Sequence, residues 1–264
     1  MPRSSRDFTT RYGTWAAVAG ASEGLGEAFA DALAARGVNL LLLARRAEAL
    51  GEVARRIRNE WGVEVRTLAI DVASPNMPIE LAEASADLEI GLVVYNAAFA
   101  PVGPFFDLPE EDLFQAIDVN VRGPIVFLRS LVPPMLERGR GAVVLMSSLS
   151  GLQGSPKIAT YAATKAFNTI LAEGLWGELR SNGIDVIASC AGAIRTPGYS
   201  QSSAKEAPGM LDPIEVAGQT LAALGRGPRI VPGWVNKIAS TLLQRMLSRS
   251  AAVRLMSANT KDLS

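Results

Sequence analysis

A short apolar run, Thr14 to Ala19, leads into Gly20-Ala-Ser-Glu-Gly24-Leu-Gly26, and that turn opens directly into an amphipathic stretch, Leu25 to Arg36. Strand, glycine turn and helix in this order leave few folds open. The glycines permit a tight turn and let backbone amides, together with the positive end of a helix, approach a pyrophosphate. A glycine-rich turn alone is a weak signal, but its place between a strand and a helix points to a dinucleotide. Gly20, Ser22, Gly24, Leu25 and Gly26 are therefore the first candidate cofactor contacts.

The alternation continues along the chain. Further apolar runs, each expected as a strand, are Val38 to Leu43, Val63 to Ile70, Leu92 to Tyr95, Ala142 to Met146 and Ile184 to Ser189, with Arg229 to Val231 closing the series. Near-continuous apolar strands are covered on both faces, which predicts an α/β fold with a doubly wound parallel sheet. Helices are expected over Leu25 to Arg36, Ala47 to Trp61, Glu110 to Glu137 and Ile158 to Ser181. The polar stretch Gly198 to Pro213 is expected as a loop and a candidate lid.

Composition removes several function classes. With 48% apolar residues over 264, the chain can bury one large core. It contains no histidine and a single cysteine, Cys190. That excludes Ser-His-Asp hydrolysis, an internal disulfide and the usual Cys/His metal sites, so no metal is expected. Formal net charge is zero, with 26 basic and 26 acidic residues, which gives no overall footprint for nucleic acid. Met1 to Arg11 carries three arginines and no apolar core, and reads as a short flexible arm, with a transit peptide as second choice. No apolar run reaches the ~20 residues of a membrane span, so the expected location is cytoplasmic.

Chemistry enters with Tyr161-Ala-Ala-Thr-Lys165. Four residues are about one helical turn, so phenol and ammonium share a face, and the cation is expected to lower the phenolic pKa. An acidified tyrosine can exchange a proton with a carbonyl oxygen, which suits ketone and alcohol interconversion beside a nicotinamide. The second strand ends Leu43-Ala44-Arg45-Arg46, where an acid would hold the ribose 2′-hydroxyl of NAD. Ala44 cannot do so, and Arg45 offers a forked cation suited to a 2′-phosphate, so NADP(H) is preferred over NAD(H). Asp71 and Val72, after the third strand, are placed to meet an adenine.

With these residues in hand the chain closely resembles the short-chain dehydrogenase/reductase family, a single Rossmann-like domain. Gly20, Gly24 and Gly26 match its glycine motif. Asn96-Ala97-Ala98 stands at its Asn-Ala-Gly position after the fourth strand. Asn120, Ser148, Tyr161 and Lys165 match its catalytic tetrad. The resemblance implies that Tyr161 is the acid/base, that Ser148 hydrogen-bonds the substrate oxygen, and that Lys165 holds the nicotinamide ribose and acidifies Tyr161. It also implies that Asn120 holds a water in a proton relay. Asn96, Ala97, Ile194 and Thr196 become cofactor contacts, and a homodimer or homotetramer is implied. Ala191-Gly192 replaces the family's Pro-Gly, Ala98 replaces a glycine, and Glu23 stands where NADP-dependent members often carry a base.

Residues expected by the same analogy to face the substrate are Phe99, Leu149, Gln153, Pro156 and the loop after Pro197. This mostly apolar set favours lipophilic carbonyls such as steroid ketones or 3-oxoacyl chains. A redox sensor that binds NADP(H) without turnover, or a lipid-surface binding protein, is the competing reading. Residues 1–233 are expected as the catalytic domain and 234–264 as a basic amphipathic helical extension. From Val216 through Lys261 there is no acidic residue. The apolar stripe from Trp234 to Met256 has three readings: packing on its own domain or a sister subunit, peripheral contact with an anionic membrane, or attraction of an acidic acyl carrier.

Overall fold

In this computed structural model the described residues are 5–202, 207–260 and 263. The chain runs α1 (Ser5–Tyr12), β1 (Trp15–Ala19), α2 (Gly24–Ala34), β2 (Asn39–Ala44), α3 (Ala47–Trp61), β3 (Val65–Ala69), α4 (Met77–Ser85) and β4 (Ile90–Tyr95). It continues with α5 (Glu110–Ile117), α6 (Gly123–Leu131), α7 (Pro133–Arg138), β5 (Gly141–Ser148), α8 (Ala159–Leu179) and β6 (Ile184–Ala191). The last elements are α9 (Pro197–Ser202), α10 (Pro213–Ala223), β7 (Arg229–Ile230), α11 (Trp234–Arg245) and α12 (Arg249–Asn259).

All seven strands pair in parallel in the order β3-β2-β1-β4-β5-β6-β7. Side chains alternate across each strand, so the sheet has two apolar faces that both need cover. Ala16 and Val18 of β1 pack with Phe29, Leu33, Leu50, Val216 and Leu221 from α2, α3 and α10. Ala17 and Ala19 face Met77, Leu81, Phe127, Leu131 and Ala172 from α4, α6 and α8. The strand order reverses direction between β1 and β4, the crevice where open parallel sheets bind ligands. The doubly wound, Rossmann-like α/β architecture expected from the strand pattern is present.

Three local expectations are corrected. Met1 to Arg11 is not a solvated arm over its described part, because Ser5–Tyr12 is helical and buries Phe8 and Tyr12. Asp185 Oδ2 accepts hydrogen bonds from Tyr12 Oη at 2.8 Å and Arg11 Nη2 at 2.5 Å. Two aromatics one turn apart made too short a stripe to stand out among the arginines; residues 1–4 lie outside the described set. The single helix expected over Glu110 to Glu137 is broken by a π turn, Asp118–Arg122, and again before Pro133-Pro134, where the missing amide donors end α6. The carboxyl-terminal stripe is two helices, because Ser248 caps α12 by accepting from Ala251 N at 3.3 Å.

Part of the expected lid is helix α9, and residues 203–206 of that stretch lie outside the described residues. Among the described residues no helix is long and apolar enough to cross a membrane.

Candidate active site

The ends of β1, β4, β5 and β6 converge at the crevice, and each delivers part of a site. Beyond β1, Gly20 adopts φ 79°, and its carbonyl accepts from Asn96 Nδ2 at 3.0 Å. A methyl at Gly26 would overlap the Gly20 carbonyl, so only glycine lets α2 begin this close to the strand. On the other side, a side chain at Gly24 would meet Thr196 Cγ2 at 3.0 Å. Asn96 and Ala97 both donate backbone amides to Ala19 O, at 3.1 and 3.0 Å, which fixes β4 against the turn. The result is a cradle of backbone at a helix N-terminus, bounded by Asn96, Ala97 and Thr196. It fits a pyrophosphate. Ile194, two residues before Thr196, is held by a bridge to Leu211.

Around the turn the charges are arranged differently from the simplest expectation. Arg46, rather than Arg45, reaches the turn, pairing with Glu23 at 2.7 Å and donating to Ser22 Oγ at 3.2 Å. Arg45 is exposed beside it. Asp71 Oδ1 accepts from Ala73 N at 2.9 Å, and Val72 is buried, so the segment after β3 is a fixed wall.

At the ends of β5 and α8 the four tetrad candidates gather. Ser148 is the last residue of β5, and its Oγ accepts from Ser150 N at 3.2 Å and Ser150 Oγ at 2.9 Å. With these lone pairs occupied, the Ser148 hydroxyl proton is left for the contact with Tyr161. Tyr161 and Lys165 sit one turn apart on α8, with Lys165 Nζ 5.5 Å from the phenol ring centre. Lys165 is buried and donates to Met146 O at 3.0 Å.

Asn120 lies in the π turn, with no part exposed. Its Oδ1 accepts from Phe99 N at 2.8 Å, and its Nδ2 donates to Phe99 O at 2.7 Å and Thr164 Oγ1 at 3.0 Å. The Asn120 side chain is thus committed to the protein, and its backbone carbonyl accepts from Asn168 Nδ2 at 3.1 Å. Asn168 Oδ1 is the one buried side-chain acceptor without a partner among the described residues.

The expected acidification of Tyr161 by Lys165 does not appear in this arrangement. Burial raises the Tyr161 pKa, and the opposing pull comes from its hydrogen bond with Ser148. Burial also lowers Lys165 to about 8. The ammonium lies by the ring and donates a hydrogen to Met146 O. Because the folded pKa of Lys165 lies below its ordinary 10.5, the unfolded chain binds more protons between about pH 8 and 10.5. The cost of burying the charge is therefore full below about pH 8 and fades as pH rises through that window. Lys165→Met, unprotonated throughout, is expected to raise unfolding free energy by about 1–3 kcal/mol at pH 7, less near pH 10, while turnover is lost. Urea unfolding at the two pH values checks it.

Sequence reasoning missed four supporting residues. Ser147 Oγ donates to Lys165 O at 2.7 Å and so ties α8 to β5; Ser150, Thr164 and Asn168 position Ser148 and Asn120. The signal was present: positions 161, 164, 165 and 168 form a polar stripe on α8, and Thr164, Lys165 and Asn168 are on its buried face. Of the expected substrate-facing residues, Gln153 is buried and donates to Leu149 O at 3.0 Å, closing the turn after Ser148. The loop is further held by Gly103 N donating to Lys157 O at 2.8 Å, with Lys157 in the left-handed region at φ 64°. A separate cavity of ≈ 470 Å³, lined by Cys190, Arg229, Trp234, Lys237 and Gln244 among others, includes none of the tetrad.

Comparison with known proteins places this geometry. Residues 14–207 match the family model for short chain dehydrogenases. The chain is 33% identical to the 7beta-hydroxysteroid dehydrogenase of Clostridium sardiniense, over 88% of this chain and 90% of that protein. It is 30% identical to the very-long-chain 3-oxoacyl-CoA reductase-B of Danio rerio, over 90% and 78%. It is also 32% identical to the inactive hydroxysteroid dehydrogenase-like protein 1 of Pongo abelii, over 93% and 77%. Among solved structures, a short-chain dehydrogenase from Sphingobium yanoikuyae in complex with NADPH superposes with a TM-score of 0.74 at 30% identity, over 83% of this chain and 86% of that one.

Proposed function

Because this chain belongs to the short-chain dehydrogenase family, as an oxidoreductase acting on CH–OH and C=O groups, we propose that it works with NADP(H) on a lipophilic ketone or secondary alcohol. The observation that carries the reading is the meeting of Ser148, Tyr161 and Lys165 at the crevice beside an open glycine cradle. One relative is called inactive, so membership alone does not decide turnover. The complete tetrad in this chain supports it.

A bound nicotinamide supplies or removes hydride at the carbonyl carbon. The protein's share is positioning and proton transfer. The backbone around Gly20, Gly24 and Gly26 would hold the pyrophosphate, with Asn96, Ala97, Ile194 and Thr196 toward the nicotinamide half and Asp71 and Val72 toward the adenine. Ser148, its lone pairs engaged by Ser150, donates to the substrate oxygen as negative charge develops there. Tyr161, kept protonated by burial, gives that oxygen its proton in the reductive direction and recovers it in the oxidative one. Lys165, beside the Tyr161 ring, would bind the nicotinamide ribose. Asn120 acts through its backbone carbonyl, since its side chain is committed to Phe99 and Thr164.

NADP(H) preference is supported by two arginines where an acid would select NAD, Arg45 exposed and Arg46 folded onto Glu23 and Ser22. Binding of a 2′-phosphate would draw Arg46 from an exposed ion pair that is itself weak. Arg45→Ala is expected to weaken NADPH binding about tenfold and leave NADH within twofold; titration of protein fluorescence with each nucleotide measures both. Equal losses for the two nucleotides would remove Arg45 from the specificity site. Steroid ketones and 3-oxoacyl thioesters are the expected substrate classes, from the apolar Phe99, Leu149 and Pro156 and from the names of the relatives. Exclusive turnover of small polar carbonyls would contradict that class.

A further inference from the structure

Among the described residues nothing covers the outer face of α11. Trp234, Val235, Ile238, Leu242 and Met246 are 77, 39, 53, 48 and 74% exposed. At helical spacing these five fall within an arc of about 120°. The opposite face is fixed, because Asn236 and Ser240 are buried and Asn236 Nδ2 donates to Gly209 O at 2.9 Å and Pro232 O at 3.2 Å. The helix therefore cannot roll its apolar side inward without breaking those bonds.

Cations accompany the stripe, Lys237 about 60° outside its edge and Arg245 within its arc. Lys237 and Arg245 are exposed on α11, Arg249 and Arg254 continue on α12, and no acidic residue occurs from Val216 through Lys261. That charge pattern selects the occupant. A second copy meeting the stripe about a two-fold axis would set the same cations against themselves. An acidic protein would answer the charges, but five exposed apolar side chains with a tryptophan ask for a partner that takes apolar groups without directional contacts. An anionic bilayer offers both, acyl chains for Trp234, Ile238 and Met246 and headgroup charge for Lys237 and Arg245.

We propose that α11 lies flat on an anionic lipid surface with this stripe in the interface. The inference goes beyond the redox chemistry and does not depend on it. Its position bears on substrate delivery. A side chain at Gly192, just past β6, would meet Asn236 of α11, and Arg249 Nη1 donates to Leu152 O in the loop after Ser148 at 3.1 Å. The membrane-facing helix is thus built onto the strand end and loop that form the site, so a lipophilic carbonyl dissolved in the bilayer has a short way to travel.

Cosedimentation of the full chain with vesicles tests the proposal. One set contains equal parts phosphatidylglycerol and phosphatidylcholine, the other phosphatidylcholine alone. Binding is expected to the anionic set, weaker at high salt. A stripe variant (Trp234→Ser, Ile238→Ser, Met246→Ser) and a charge variant (Lys237→Glu, Arg245→Glu) are each expected to bind at least about tenfold more weakly. NADPH binding and circular dichroism report whether each variant is folded; should the stripe variant unfold, the charge variant alone decides. Absence of binding to anionic vesicles, or equal binding by the folded variants, would overturn the proposal. So would vesicle indifference together with a fall in molar mass of the stripe variant, which would make the face a subunit interface, or with binding to an acidic acyl carrier.

Discussion

Tyr161→Phe is expected to lower turnover by about 100- to 10,000-fold while NADPH affinity stays within about twofold. The substitution removes the phenol oxygen and little else. In the proposed reading the nucleotide would be held by backbone around Gly20, Gly24 and Gly26 and by Lys165, none of which depends on that oxygen. A phenylalanine ring also still packs beside Lys165 Nζ. Burial sets the Tyr161 pKa above its ordinary value in the free protein, so the residue is protonated at neutral pH and ready to donate. Oxidation of an alcohol needs the opposite state, and its rate is expected to keep rising into the alkaline range. Steady-state kinetics in both directions, paired with a nucleotide titration, read these outcomes. Retained turnover in the variant would sink the assignment of Tyr161.

Gly26→Ala is expected to cost about 3 kcal/mol of stability and at least about a hundredfold in nucleotide affinity. The added methyl would overlap the Gly20 carbonyl oxygen and crowd Asn96 Nδ2 at 2.8 Å, and the first of these is backbone that cannot swing away. Relief requires α2 to move back from the end of β1, which opens the cradle and breaks the bond from Asn96 Nδ2 to Gly20 O. Gly51→Ala is the control. Gly51 lies within α3 with open space where a methyl would go, so alanine there is expected to add about 0.5–1 kcal/mol through helix propensity. Urea unfolding of the two variants, with NADPH titration, separates a steric lesion from a general effect of replacing glycine.

The sheet was legible because its central strands are apolar runs closed off by turns, while the edge strand β3 is largely exposed; α3 was read to the residue because Gly62 ends it in the left-handed region at φ 67°. The geometry of the candidate site was legible for a related reason. Its residues hang on strand ends and one helical turn, so Ser148, Tyr161 and Lys165 meet once the sheet is formed. What escaped was tertiary. The π turn that carries Asn120 depends on Tyr95 Oη donating to Val119 O at 2.6 Å across the β4 end, which no local pattern announces. Helix α1 owes its order to Asp185, far along the chain. The Tyr161 pKa departed from the spacing argument because burial, which depends on the packed tertiary structure, raises it. Arg46 replaced Arg45 at the turn because Glu23, opposite in space, offered it a partner.

The most direct test of the central claim is transfer of label from NADPH deuterated at C4 of the nicotinamide to a lipophilic ketone, read by mass spectrometry of the alcohol. The account predicts one deuterium at the carbinol carbon, from one face of the nicotinamide, in stoichiometry with the nucleotide oxidised, and loss of the product in Tyr161→Phe. Tight NADPH binding with no label in any steroid ketone or 3-oxoacyl thioester would contradict it and leave a nucleotide-binding protein that senses redox state rather than changing it.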